Sequence, residues 1–122
     1  MGFFNTLFGE KTNELPDFWK NIDTEVGLKK AIEESHRKKV VIFKHSTRCF
    51  ISKTVLKNFE KEIHETDKEI SFYFLDLLAH RNLSNKIAED FDIEHQSPQI
   101  IVLENGVAVN NASHQNISLN LV

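Results

Sequence analysis

The chain has 122 residues, 40% hydrophobic and 27% charged, with a formal net charge of −3. That length suits one domain with its own core, and the charge balance leaves no basic footprint for nucleic acid. No apolar run approaches the ~18 residues of a membrane span, and the only cysteine, Cys49, cannot close a disulfide within the chain, which fits a reducing, cytoplasmic setting.

Residues 1–13 read as an N-terminal tail ahead of a domain over residues 14–122. Met1 to Glu10 has neither a basic region nor a continuous apolar stretch, so it is a poor signal peptide. Met1-Gly2-Phe3-Phe4-Asn5-Thr6 satisfies the loose myristoylation pattern, which is short enough to arise by accident. Phe3, Phe4, Leu7 and Phe8 read more plainly as a small apolar set that packs on the domain or on a neighbour.

Phe18 to Ile22 is either a short strand or an extended lead-in. Asp23 or Thr24 can cap a helix running to about Lys38, with Leu28, Ala31, Ile32 and Ser35 on its inner face and an acid-to-base polarity that complements the helix dipole. Val40-Val41-Ile42-Phe43-Lys44 is a β-branched and aromatic run of strand length. Ser46, Thr47 and Arg48 can turn the chain, and Ser or Thr can cap the next helix. From Cys49 the apolar period changes: Ile51, Val55, Leu56, Phe59 and Ile63 mark one helical face to about Glu65.

Ile70 to Leu77 is a second strongly apolar strand, of the kind buried on both faces in a helix-covered parallel sheet. Leu83, Ile87, Ala88 and Phe91 mark a short helix, and residues 92–96 a loop. Ser97-Pro98 precedes a third strand, Gln99 to Glu104. Asn105-Gly106 is a hairpin signal, Val107 to Ala112 pairs back as a fourth strand, and Asn116 to Val122 is expected to be a short helix. The expected fold class is therefore α/β: a central four-stranded mixed sheet, a parallel pair plus a C-terminal antiparallel hairpin, flanked by helices.

Cys49 is the chemical focus. The first turn of a helix presents N–H groups without intrahelical partners and the positive end of the macrodipole, and both favour a thiolate over a thiol. Against this stands the inert buried cysteine, a common state of a free thiol; the polar Ser46, Thr47 and Arg48 ahead of it argue for a less apolar setting. Lys44 and His45 can tune a thiolate electrostatically, although a strand end is also an ordinary place for solvated charges. The six histidines are scattered without zinc-site spacing, and the paired acids Glu33-Glu34 and Glu89-Asp90 lie on expected helix faces, so no metal site is expected.

With Cys49 at a strand-to-helix junction, Ser97-Pro98 ahead of a strand and the Asn105-Gly106 hairpin, residues 17–122 resemble the thioredoxin fold. That resemblance implies a cis Pro98 beside the active-site sulfur, with Ser97 offering backbone groups to a bound thiol or peptide. The usual Cys-x-x-Cys is here Cys49-Phe50-Ile51-Ser52, which excludes a dithiol cycle within one chain and leaves a monothiol one. Residues three apart on a helix are neighbours, so the Ser52 hydroxyl can reach the sulfur.

More closely, Lys44-His45-Ser46-Thr47-Arg48-Cys49-Phe50-Ile51-Ser52 resembles the YtxJ family, the monothiol bacilliredoxins of the bacillithiol system. That family's typical stretch has proline where this chain has Phe50. The resemblance implies a thiol–disulfide oxidoreductase that takes bacillithiol from S-bacillithiolated client proteins, with Cys49 catalytic and Thr47, Arg48, Ser52, Ser97 and Pro98 lining the site. Arg48 would pair with bacillithiol's carboxylates, and bacillithiol would be a co-substrate rather than a tightly held cofactor. Two other readings stay open: a thioredoxin-like binding module without turnover, and an iron–sulfur carrier like the monothiol glutaredoxins, for which Phe50 is bulkier than the glycine of their motif.

Overall fold

The computed structural model describes residues 15–122. The tail expected over residues 1–13, with its acylation pattern and apolar set, lies outside the described residues. The elements in chain order are β1 (Trp19–Asn21), α1 (Glu25–Glu34), β2 (Lys39–His45), α2 (Phe50–Glu65), β3 (Ile70–Asp76), α3 (Arg81–Asp90), β4 (Gln99–Glu104) and β5 (Val107–Ser113). Two 3-10 turns, His114–Asn116 and Leu119–Leu121, follow.

The sheet has five strands, in the order β1-β3-β2-β4-β5. β1 and β2 both run parallel to β3, while β4 is antiparallel to β2 and to β5. The expected count of four is thus one short. Trp19–Asn21 completes the ladder at one edge, with Trp19 opposite Phe72. Three residues are too few for alternation to stand out, which is why the sequence leaves this segment between strand and lead-in.

Strand alternation explains the two-sided core. Val41 and Phe43 of β2 join Trp19, Phe59, Phe72 and Phe74 in the layer under α2. Val40 and Ile42, the intervening residues, join Leu28, Ala31, Leu83 and Ile87 under α1 and α3. All four β2 side chains are fully buried. Burial of a large apolar side chain of this kind contributes roughly 1.5–3 kcal/mol each, so β2 anchors both layers at once.

The ends of the elements are set locally in some places and at long range in others. Thr24 is the N-cap of α1, its Oγ1 accepting the Gly27 N–H at 3.0 Å. The helix stops at Glu34, short of the expected Lys38. Ser35 closes it and is held from across the fold: its carbonyl accepts the Asn105 N–H at 2.7 Å, and its hydroxyl accepts the Gly106 N–H at 2.9 Å. The expected C-terminal helix is replaced by the two 3-10 turns. Ser118 interrupts it by capping the second turn through the Asn120 N–H, and Glu62 of α2 accepts the Leu119 N–H at 2.6 Å. So short a helix has little intrinsic stability to resist these competing bonds.

Candidate active site

β2 delivers the chain to the site. Its last residue, His45, is followed by Ser46, Thr47 and Arg48, and the Cys49 N–H bonds back to the Ser46 carbonyl at 3.2 Å to close the turn. Cys49 is the N-cap of α2, in an extended conformation, and its carbonyl accepts the first helical bond from Lys53 N–H at 3.1 Å. No side chain caps this helix, so the expected Ser or Thr cap is not formed. Ser52, in the first turn of the helix, is buried. Cys49 itself is half-buried, while Thr47, Arg48 and Phe50 are exposed, Phe50 to 80%.

Ser52 is fully buried, and its hydroxyl oxygen accepts the Ser46 N–H at 3.1 Å. The same oxygen lies 2.7 Å from Nδ1 of His45. Burial holds His45 below its ordinary pKa; the Asp76 carboxylate opposes this and the Lys53 ammonium adds to it. A neutral imidazole that receives the Ser52 proton on Nδ1 carries its own proton on Nε2. The turn that presents Cys49 is therefore pinned from beneath by a buried serine–histidine pair.

Ser97 and Pro98 arrive from the other side. Gln99 opens β4 opposite Lys44 in the antiparallel ladder, so the Ser97–Pro98 segment enters at the same end of the sheet from which β2 releases the chain toward Cys49. The Ser97–Pro98 peptide bond is cis, and Pro98 is buried. Thr47, Arg48, Cys49 and Ser52 thus share one end of the sheet with Ser97 and Pro98.

Lys44, the residue before His45, faces the opposite layer. Its fully buried ammonium donates to the Ser84 carbonyl at 3.1 Å and lies 3.4 Å from His95 Nδ1. Burial lowers Lys44 to about 8. His95 is held below its usual value, by burial first and then by the Lys44 and Arg81 charges, so its Nδ1 is an acceptor toward the ammonium. Gln99 ties down the same loop, its amide donating to the Glu94 carbonyl at 3.0 Å. The reading of Lys44 and His45 as solvated charges is thus overturned. The signal against it lies in Val40 to Phe43: a run buried on both faces carries its next ladder positions inside with it.

A second feature had no sequence signal. A cleft of about 590 Å³ opens beside the site, walled by His45, Thr47 and Asp76 from the strand ends and by Lys53, Lys57 and Glu60 from α2. Leu15 and Pro16, ahead of β1, complete its wall, so its residues come from four separate stretches of the chain and share no motif. Among the described residues, no three His, Cys, Asp or Glu side chains gather as a metal site, and no helix is long and apolar enough to cross a membrane.

The sheet order, the half-buried cysteine heading α2 and the cis proline just before β4 define a thioredoxin-fold protein of the thiol–disulfide oxidoreductase type. A solved structure described as having a thioredoxin fold, and assigned provisionally to the oxidoreductases, is 31% identical with a TM-score of 0.75, over 84% of this chain and 88% of that one. The Malassezia sympodialis thioredoxin Mala s 13 shares the fold at 23% identity and a TM-score of 0.63, covering 77% of this chain and 76% of its own. Trypanosoma brucei brucei thioredoxin does so at 16% identity and 0.65, covering 80% and 79%. The family of the monothiol bacilliredoxin BrxC matches residues 20–122, and the chain belongs to that family.

Proposed function

We propose that this protein removes bacillithiol from S-bacillithiolated client proteins by a monothiol cycle at Cys49. The Cys49 thiolate attacks the bacillithiol sulfur of the client's mixed disulfide. The sulfur–sulfur bond of that mixed disulfide breaks, the client leaves as a thiolate that takes a proton from solvent, and a Cys49–bacillithiol disulfide remains. A second bacillithiol thiolate attacks that disulfide, forming oxidised bacillithiol and returning Cys49 as a thiolate. Bacillithiol is the reductant and is consumed as a co-substrate. Thr47, Arg48, Ser97 and Pro98 line the approach, and Ser52 supports the turn.

One observation carries this reading: the sole cysteine sits, half-buried, at the N-cap of α2, and one turn on stands Ser52, whose hydroxyl is bound to His45 and Ser46. With no resolving thiol within the chain, the mixed disulfide must be resolved from outside, which requires a small thiol or a second protein.

The test is mass spectrometry of the protein mixed with a bacillithiolated model client. The expected result is a bacillithiol-sized adduct on Cys49 with stoichiometric release of reduced client, absent in Cys49→Ser. Neither adduct nor release, from folded protein whose Cys49 alkylates freely, would replace the cycle with a thioredoxin-like binding module that does no turnover.

A further inference from the structure

The helix that begins after Cys49 has two unlike flanks. Lys53, Lys57 and Glu60 line the charged cleft described above. On the other flank a groove of about 220 Å³ runs along the helix from Phe50 and Ile51 past Thr54 to Asn58. Positions four apart share a helix face, so Phe50, Thr54 and Asn58 form one stripe. Gln115 and Ile117, from the turn after β5, make the far wall, and among the described residues none that lines the groove is charged.

The groove is continuous with the site. Phe50 follows Cys49 directly, and it is 80% exposed, with Ile51 beside it at 45%. The far wall is tied to the cis proline, because the His114 N–H donates to the Pro98 carbonyl at 3.0 Å immediately before Gln115. The Thr54 hydroxyl is already engaged, donating to the Phe50 carbonyl at 3.2 Å. Two solvated apolar side chains therefore stand at the mouth of an uncharged groove, one residue from the reacting sulfur.

Two molecules approach that sulfur in the cycle above, the small thiol and the client polypeptide. Bacillithiol is anionic through its carboxylates, and an uncharged groove offers it no ion pair. The groove is also smaller than the ~300 Å³ at which small-ligand pockets begin. A polypeptide differs on both counts: it brings single side chains on either side of its modified cysteine, and an apolar one gains by removing Phe50 and itself from water.

We propose that Phe50 and this groove select clients, by packing an apolar side chain that neighbours the client's bacillithiolated cysteine. The inference rests on the monothiol cycle and narrows its substrate class to proteins whose modified cysteine lies on an accessible stretch beside an apolar residue. Phe50 is then a specificity-determining residue, and the charged flank of α2 takes no part in the choice.

The test uses the full chain, excess bacillithiol and two bacillithiolated peptides of equal length, one with leucine on both sides of the cysteine and one with serine. The readout is the ratio of kcat/KM, leucine peptide over serine peptide. A change in the reactivity of Cys49 moves both rates together and leaves the ratio alone. In the wild type the ratio is expected to be on the order of 10, the effect of partly burying one large apolar side chain. In Phe50→Ala it should fall to about 2, without loss of the fold, because the ring stands in solvent. Val26→Ala, an exposed apolar position on α1, keeps the wild-type ratio. A wild-type ratio near one, or a ratio that Phe50→Ala leaves unchanged, overturns the assignment while the cycle stands. A ratio that collapses as the protein concentration is raised overturns it in favour of a second copy of the chain as the occupant. A wild-type protein that reduces neither peptide removes the cycle itself, and the client assignment with it.

Discussion

At the scale of single residues, the polar side chains that were hardest to read are the ones that organise the site. Ser52 was legible as the residue in place of a second cysteine, three positions after Cys49. Its partners were not, because nothing in Cys49-Phe50-Ile51-Ser52 says that the hydroxyl bonds to His45 and the Ser46 amide. Both partners are brought there by the end of β2. Replacing Ser52 by alanine strips an acceptor from the Ser46 N–H and the hydrogen-bond partner from His45 Nδ1. The expected loss is about 1–3 kcal/mol, the usual penalty for leaving a buried polar group without its partner. Urea unfolding of Ser52→Ala measures it. A change within 0.5 kcal/mol, the range of ordinary surface substitutions, would show that the pair does not support the turn.

At the scale of elements, legibility follows sequence distance. The hairpin between β4 and β5 is written in two residues: Asn105 and Gly106 both have positive φ, 55° and 81°, as a two-residue turn of this kind requires. The helix of Cys49 was equally clear, because its apolar face repeats over four turns. The end of α1 was not, because Ser35 is bound by the backbone of that same hairpin some seventy residues later. Gly106 therefore joins two elements. A Cβ at this position would meet the His36 ring at 2.9 Å while imposing a left-handed backbone on an L-residue. Gly106→Ala is expected to cost about 1–3 kcal/mol. The damage should reach the C-terminal turn of α1 as well as the hairpin. Hydrogen exchange at Ser35 to Lys38, compared with exchange in β3, reads that spread directly.

At the scale of the whole molecule, Glu34 ties three elements together. Its carboxylate accepts from the Ser71 and Tyr73 hydroxyls, each at 2.6 Å, and pairs with Lys20 at 3.3 Å. Burial works to raise its pKa, but the bonds from Ser71, Tyr73 and Lys20 prevail and hold it at about 2. A carboxylate depressed in the folded state contributes stability that is present above its unfolded value, near 4.5, and lost as the pH falls toward 2. His45 and His95, held below 6.5 by burial, act earlier: the unfolded chain takes up their protons first, so stability declines as the pH drops below about 6.5. Chemical denaturation across pH 7 to 3 should show both losses. In Glu34→Gln the decline below pH 4.5 should shrink while the one near 6 persists. Composition and apolar periodicity were enough for the layered α/β fold, but Glu34 read only as one of a pair of solvated acids on a helix face. Its partners lie on two strands, Lys20 fourteen residues before it and Ser71 and Tyr73 more than thirty after.

The last two residues of β2 also do something that neither does alone. Lys44 and His45 are consecutive, so the pleat sends them to opposite layers, one to Ser84 and His95, the other to Ser52. A slip of β2 by one residue would exchange their faces. It would drive the ammonium in among Phe59 and Phe74, and leave both sets of polar partners unmatched. An apolar run such as Val40 to Phe43 would by itself tolerate many alignments, since every shifted position is still greasy. Two buried polar groups of different shape and charge, side by side, make one alignment far cheaper than the rest. They act as a key for the pairing of the central strands, and the same key fixes where along the sheet the cysteine is released.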